Sequence, residues 1–169
     1  LRVSKEILTR VVDTYRKLRN TCRILVANLY DFDPAVDMRP LASLEAVDRF
    51  ALARFADAEA RIRRAYAQYD FSTVAQSLNT LVTVDLSAFY VDVTKDRMYT
   101  FAAASKERRS TQTAMYRICD GLARLLAPIL PVTADDADPC AKARDAHGGC
   151  LADTARAAGD QDRIACHRP

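Results

Sequence analysis

The chain has 169 residues, 50% of them hydrophobic by a broad count, with four glycines, six prolines and no tryptophan, enough for one domain with a substantial core. So few turn-formers disfavour a many-stranded sheet, and no uncharged apolar run of about 18 residues exists to span a membrane. The net charge of +3 is uneven: residues 1–133 carry 20 Lys and Arg against 15 Asp and Glu, and the rest 5 against 7, a basic body that suits an anionic partner as well as an ordinary solvated surface.

The first residues, LRVSKEIL, carry a charge every few positions and form no signal peptide. The chain opens on Leu1, as a piece of a longer protein would. A first helix is expected from about Ser4 to Leu29, capped by Ser4 with Glu6 in its first turn. Ile7, Val11, Tyr15, Leu18, Cys22, Leu25 and Leu29 lay one apolar stripe along it. The stretch DFDPAVDMRP then breaks the pattern at Pro34 and Pro40.

A second helix is expected from about Ser43 to Tyr69, with its seam at Leu44, Val47, Ala51, Phe55, Ala58, Ile62, Ala65 and Tyr69. A third runs from about Ser72, with Asp70 or Ser72 as its cap. Its stripe is Val74, Leu78, Leu81, Val82, Asp85, Leu86, Phe89 and Val93. The stretch FYVDVT has strand propensity, but the helical period persists through it, so packing is expected to keep it helical. The helix should end near Thr94, with Lys95-Asp96-Arg97 as the corner after it. Asp85, beside the stripe, needs a partner if it is buried. A fourth helix runs from about Ser105 to Leu126, and Met115, Ile118, Cys119, Leu122, Leu125 and Leu126 face inward. Lys106, Arg108 and Arg109 crowd its first turn, where the helix dipole disfavours cations, so some other group should use those charges. The expected fold is all-α, an antiparallel helical bundle of four long helices spanning residues 1–133.

From Ala134 to Pro169 the pattern disappears, with Leu151 and Ile164 the only large aliphatics. Such a segment buries too little apolar surface to offset its ordering entropy, and a disordered C-terminal tail is expected. Five cysteines, an odd number, argue against a disulfide framework and for a reducing, cytoplasmic setting. Cys140, Cys150, Cys166, His147 and His167 show no zinc-ligand spacing. Both histidines lie in the tail, so the body has no histidine base and no catalytic residue is assigned. No glycine-rich phosphate loop is present, and no metal or cofactor is expected of this chain.

What remains is arginine interleaved with amides and aromatics. RKLRNTCR puts Arg16, Arg19, Asn20 and Arg23 along one side of the first helix. Such a face can simply be solvated. It can also grip phosphates, with asparagine reaching a sugar or a base edge and tyrosine stacking on an unpaired base.

The strings RVVDTYRKLRNTCRILVANLYDFDP, FYVDVTKDRMYT and RRSTQTAMYRICDGLARLLAPILPVTADD, with DRFAL at 48–52, resemble the anticodon-binding region of isoleucyl-tRNA synthetases, class I aminoacyl-tRNA synthetases. Phe50 stands where those relatives usually have tryptophan, and the resemblance covers about residues 1–136. It implies an all-α bundle that docks on the anticodon stem-loop of the isoleucine tRNA. The implied contacts are Arg16, Arg19, Asn20, Arg23, Lys95, Arg97, Arg108 and Arg109. The expected partners are that tRNA and the catalytic domain of the same enzyme, with no DNA and no membrane. In the family, ATP and magnesium serve a catalytic domain with HIGH-type and KMSKS-type signatures, and neither string occurs here. The alternative expectation is a structural or interaction bundle without tRNA affinity of its own. After PVTADD the text departs from the family, as a shift of reading frame would make it.

Overall fold

A computed structural model describes residues 4–139, and the expectations of a disordered, out-of-frame or metal-poor tail over 140–169 lie outside them. The elements are α1 (Lys5–Ala27), a 3-10 turn (Leu41–Ser43), α2 (Ala46–Ala67), α3 (Phe71–Thr80), a π-helix, π1 (Leu81–Val91), α4 (Asp92–Thr100), α5 (Lys106–Leu126) and α6 (Pro131–Ala137). No strand occurs among the described residues.

Local chemistry sets most of the boundaries. Ser4 Oγ accepts from the Ile7 amide at 3.3 Å, Asp70 Oδ1 from the Thr73 amide at 3.1 Å and Ser105 Oγ from the Arg108 amide at 3.3 Å, each satisfying an orphan donor of a first turn. At Ser43 the chain makes only the 3-10 turn, and α2 starts at Ala46. It ends in a reversal in which Tyr69 takes a left-handed φ of 55° and the Asp70 amide reaches the Ala65 carbonyl at 2.9 Å.

The all-α class is as expected, but the count of four helices is corrected: α3, π1 and α4 follow one another without interruption as one rod divided into three, and the short α6 is added to the long helices α1, α2 and α5. Two expectations for this rod are corrected. Lys95-Asp96-Arg97 is no corner, since helix continues to Thr100. Phe89 and Val93 do not face the core, being 40% and 50% exposed, whereas Tyr90 and Thr94 are fully buried. The buried row is Val74, Leu78, Val82, Leu86, Tyr90, Thr94 and Met98, every fourth residue. In an α-helix such a row would drift about 40° per step around the axis. The wider winding of π1 turns the row the opposite way over Leu81–Val91 and offsets part of that drift.

Contacts between the rods give their directions. Tyr90 meets Asp48, Arg54 meets Asp85 and Tyr66 stacks on Phe71, so the third rod runs antiparallel to α2. Gln112 reaches Asn28 while Tyr15 reaches Thr133 beyond the end of α5, so α5 runs antiparallel to α1. Asp48 meets Ser110 and Tyr66 meets Leu125, so α2 runs parallel to α5 and consecutive rods alternate in sense. The link 28–45 carries the chain across the bundle to α2, passing the N-terminus of α5. Leu25, Ile62, Leu78, Leu86, Ile118, Leu122 and Leu126 lie between the rods at no more than 1% exposure. Cys22 and Cys119 are buried, as their faces suggested. The expected stripe of α1 holds only from Leu18 onward, because Ile7 and Val11 are exposed. Asp85 has the partner it needed, Arg54, at 3.2 Å. α6 crosses the boundary read at 133 and buries Ala134 and Ala137 in the same core.

Gly121 lets α5 pack tightly on α2, since a Cβ there would lie 2.5 Å from Cζ of Phe55. Gly121→Ala should therefore cost about 1–3 kcal/mol of stability despite its better helix propensity, because the buried ring must shift. Urea denaturation checks this, and the penalty should shrink in a Phe55→Ala background.

Candidate nucleic-acid interface

The eight cations and amides singled out in the sequence fall into two groups. Arg108 and Arg109 are held inside the protein, and Arg97 at its margin, by acids far away in the chain. The other five are exposed.

The internal group belongs to a polar clasp at the N-terminal end of α5. Its six consecutive residues Arg108–Thr113 all engage other elements. Arg108 pairs with Asp31 at 3.0 Å with its side chain only 6% exposed, and its guanidinium lies 5.7 Å from the centre of the Tyr30 ring. Arg109 reaches Asp37 at 3.3 Å and the Asp31 carbonyl at 2.8 Å. Gln112 Nε2 donates to Asp31 Oδ1 at 2.7 Å and to the Asn28 carbonyl at 3.0 Å. Thr113 Oγ1 accepts from the Arg39 amide at 3.1 Å, and Ser110 Oγ from the Glu45 amide at 2.8 Å. Both cations sit where the helix dipole opposes them, and the acids of the link compensate. This answers the question the first turn of α5 raised.

At the centre of the clasp, Asp48 is fully buried. Its carboxylate accepts from Tyr90 OH at 2.8 Å, Ser110 Oγ at 2.6 Å and Thr111 Oγ1 at 3.2 Å. Arg97 Nη1 lies 3.7 Å from Asp48 Oδ2, within ion-pair range but outside hydrogen-bond geometry. Burial, with Asp48 beside it, pushes the Tyr90 phenol well above its ordinary pKa and keeps it a donor. The sequence does not single out Asp31, Asp37 and Asp48, the partners of these cations, or Tyr90, which donates to Asp48. The available signal was an acid-dense link, DFDPAVD, matching an arginine-dense helix start.

The exposed group lies on α1 and α4. Arg16 is loosely paired with Asp13 at 3.4 Å. Lys95 pairs with Asp92 at 2.9 Å, and that hydrogen bond raises its ammonium pKa above the usual value. Surface pairs of this kind are weak and readily exchanged for a phosphate. Arg19, Asn20 and Arg23 are exposed and make no side-chain hydrogen bond or ion pair among the described residues. Their spacing sets them side by side along one flank of α1. No group of His, Cys, Asp and Glu among the described residues is arranged to hold a metal. No helix among them is long and apolar enough to cross a membrane.

Near the C-terminal end of α1, residues of that helix, of the start of the link and of α4 enclose a half-open cleft of about 280 Å³. Ile24, Ala27, Asn28, Tyr30, Met98 and Tyr99 line it.

Residues 48–142 match the family described as the anticodon-binding domain of tRNA ligase. The chain is 47% identical over 137 residues to an isoleucine–tRNA ligase of Desulfotalea psychrophila, covering 81% of this chain and 15% of that protein. It is 50% identical over 137 residues to the isoleucine–tRNA ligase of Paraburkholderia phymatum, covering 81% of this chain and 14% of the relative. It is 46% identical over 136 residues to that of Geobacillus kaustophilus, covering 80% of this chain and 15% of the relative. The chain thus spans about 15% of the length of the curated relatives it matches.

Proposed function

The chain belongs to the anticodon-binding domain family of tRNA ligases, and from that premise we propose that it is the tRNA-binding module of an isoleucine-tRNA ligase acting in the cytoplasm. It docks on the anticodon stem-loop of the isoleucine tRNA. ATP-dependent attachment of isoleucine, with its magnesium, rests with the catalytic domain of the whole enzyme, whose signatures are not among these 169 residues.

The observation that carries the reading is the ridge of Arg19, Asn20 and Arg23, exposed and engaged by no group of the bundle. Desolvating an arginine that has no internal partner breaks nothing in the fold, and its planar fork suits a phosphate. Arg16 and Lys95 extend the ridge by releasing weak surface pairs. Arg97, Arg108 and Arg109 act indirectly, by holding the link and α4 in place.

The test is the salt dependence of tRNA binding. Log affinity should fall with log salt by about 0.7 to 0.9 per phosphate contact. Arg19→Ala and Arg23→Ala should each flatten the slope by about one contact while changing stability by no more than about 0.5 kcal/mol. Unchanged slopes would reject the ridge as the contact surface. One observation favours a second reading, an interaction bundle without tRNA affinity of its own: acids already engage five of the eight candidates, three of them from distant segments of the chain. Equally weak binding to tRNA and to any polyanion would support that reading.

A further inference from the structure

We infer that the third rod is a two-register element. Rewinding π1 as α-helix turns α4 by one residue and brings Phe89 and Val93 to the core in place of Tyr90 and Thr94. Asp48 is the latch that holds the present register. The inference stands apart from the tRNA-binding reading.

Two overlapping stripes are written into this rod. The buried row takes Leu86, Tyr90, Thr94 and Met98. An α-helix turns through about 3.6 residues, so beyond Leu86 its core face falls on Phe89, Val93 and Arg97. The more apolar pair stands outside: Phe89 and Val93 are exposed, while Tyr90 and Thr94 are buried with their hydroxyls. Phe89 touches Phe50 edge-on, with ring centres 5.7 Å apart, and Phe50 is itself half exposed. Hydrophobic burial by itself therefore favours the α register. Helix geometry favours it too. π-winding is rare and mostly confined to a single turn, and here it runs for 11 residues. Some other interaction must hold the present register.

The buried hydroxyls supply it. Tyr90 OH donates to Asp48 Oδ1 at 2.8 Å, and Thr94 Oγ1 donates to the Tyr90 carbonyl at 2.7 Å. In the α register the Phe89 ring stands at Asp48 with no hydroxyl, and a buried carboxylate loses a donor. One hydrogen bond to a charged group is thus set against the burial of two apolar side chains, and the two effects are of similar size. Opposing terms that nearly balance leave the second register as a populated minor state. The register also decides what faces the cleft. Met98 lines it now, and Arg97 takes that place when π1 rewinds. A thioether is exchanged for a guanidinium at that wall, so the core register sets the charge of the cleft.

The experiment reads thiol reactivity in the full chain, with Cys140, Cys150 and Cys166 changed to serine. The buried Cys22 and Cys119 then report global unfolding. Thr94→Cys places a further thiol where the side chain is fully buried in the present register and turned out of the core in the other. Under native conditions the thiol at position 94 should react with a maleimide about tenfold or more faster than Cys22 and Cys119, because its exposure needs no unfolding. Adding Tyr90→Phe puts a plain benzyl ring at Asp48 in either register and removes the latch. It should raise the rate at position 94 about tenfold or more and keep that rate ahead of both native cysteines. Phe89→Asp changes a side chain that is 40% exposed in the present register, but it forbids the burial that the α register needs. It should bring position 94 down to the rate of Cys22 and Cys119, whereas simple fraying of α4 would be indifferent to it. Equal rates at position 94 and at the native cysteines without Phe89→Asp, or a fast rate that survives Phe89→Asp, would overturn the second register. A rate unmoved by Tyr90→Phe would overturn Asp48 as the latch.

Discussion

Asp48→Ala should destabilise the fold by about 3–5 kcal/mol, the largest loss expected of any single substitution considered. Four groups converge on this carboxylate: the hydroxyls of Tyr90, Ser110 and Thr111, and the Arg97 guanidinium. They come from the third rod and from α5, and Asp48 sits in the first turn of α2. With the carboxylate gone, three buried hydroxyls lose an acceptor and the partly exposed Arg97 loses its counter-charge. Tyr90→Phe removes one donor and leaves the others in place, so it should cost about 1.5–3 kcal/mol, the range for a hydrogen bond to a charged group. Urea denaturation of the two variants gives the comparison. A loss at Asp48→Ala no larger than that at Tyr90→Phe would show that the carboxylate is not the hub of the clasp.

The second large effect concerns the other half of the clasp. Asp31→Ala should cost about 2–4 kcal/mol, because Arg108 is left inside with no acid, and the partial exposure of Asp31 lets water recover some of the loss. Asp31 also accepts from Gln112 and lies within reach of Arg109, so its removal loosens the link 28–45 from the start of α5. Amide exchange should accelerate over that link before it does so in the rods. Removing both partners tests the electrostatic cause directly. Asp31→Leu combined with Arg108→Met should be less harmful than Asp31→Ala alone, since no isolated charge remains and Arg109 keeps Asp37. A double variant worse than the single one would assign the loss to shape rather than charge. The functional consequence follows from position: Asn28 and Tyr30, which line the cleft, belong to the segment that Asp31 holds.

The two substitutions differ from Arg19→Ala in a way the fold explains. Arg19 engages nothing in the bundle, so its loss should appear only in RNA binding. Asp31 and Asp48 lie away from the proposed ridge, and their loss should appear first in stability. Measuring both quantities on all three variants separates framework from contact surface.

Much of this protein follows from sequence alone. The stripe on α2 from Leu44 to Ala65 (Tyr69, expected to continue it, is 81% exposed), the stripe on α5, the cap at Ser4 and the buried Cys22 and Cys119 each depend on residues within a turn or two of one another, so local periodicity contains them. The family strings also carried the all-α class. The phase of the third rod beyond Leu86 could not be read this way. A row of every fourth residue is compatible with an α-helix whose stripe drifts or with a rod whose wider central turns offset the drift, and only packing against the other rods selects the second. Nor could the roles of the arginines be read, since Arg19 and Arg108 look alike in a string of letters. What separates them is whether folding brings an acid from tens of residues away, as it does Asp31 to Arg108 and Asp48 to Arg97. The same holds for the cleft, whose two tyrosines are 69 positions apart and meet only because folding brings the start of the link and α4 to one cleft. Charge and periodicity are properties of a segment; partnership and exposure belong to the whole folded chain, because each depends on what the other rods place beside a residue.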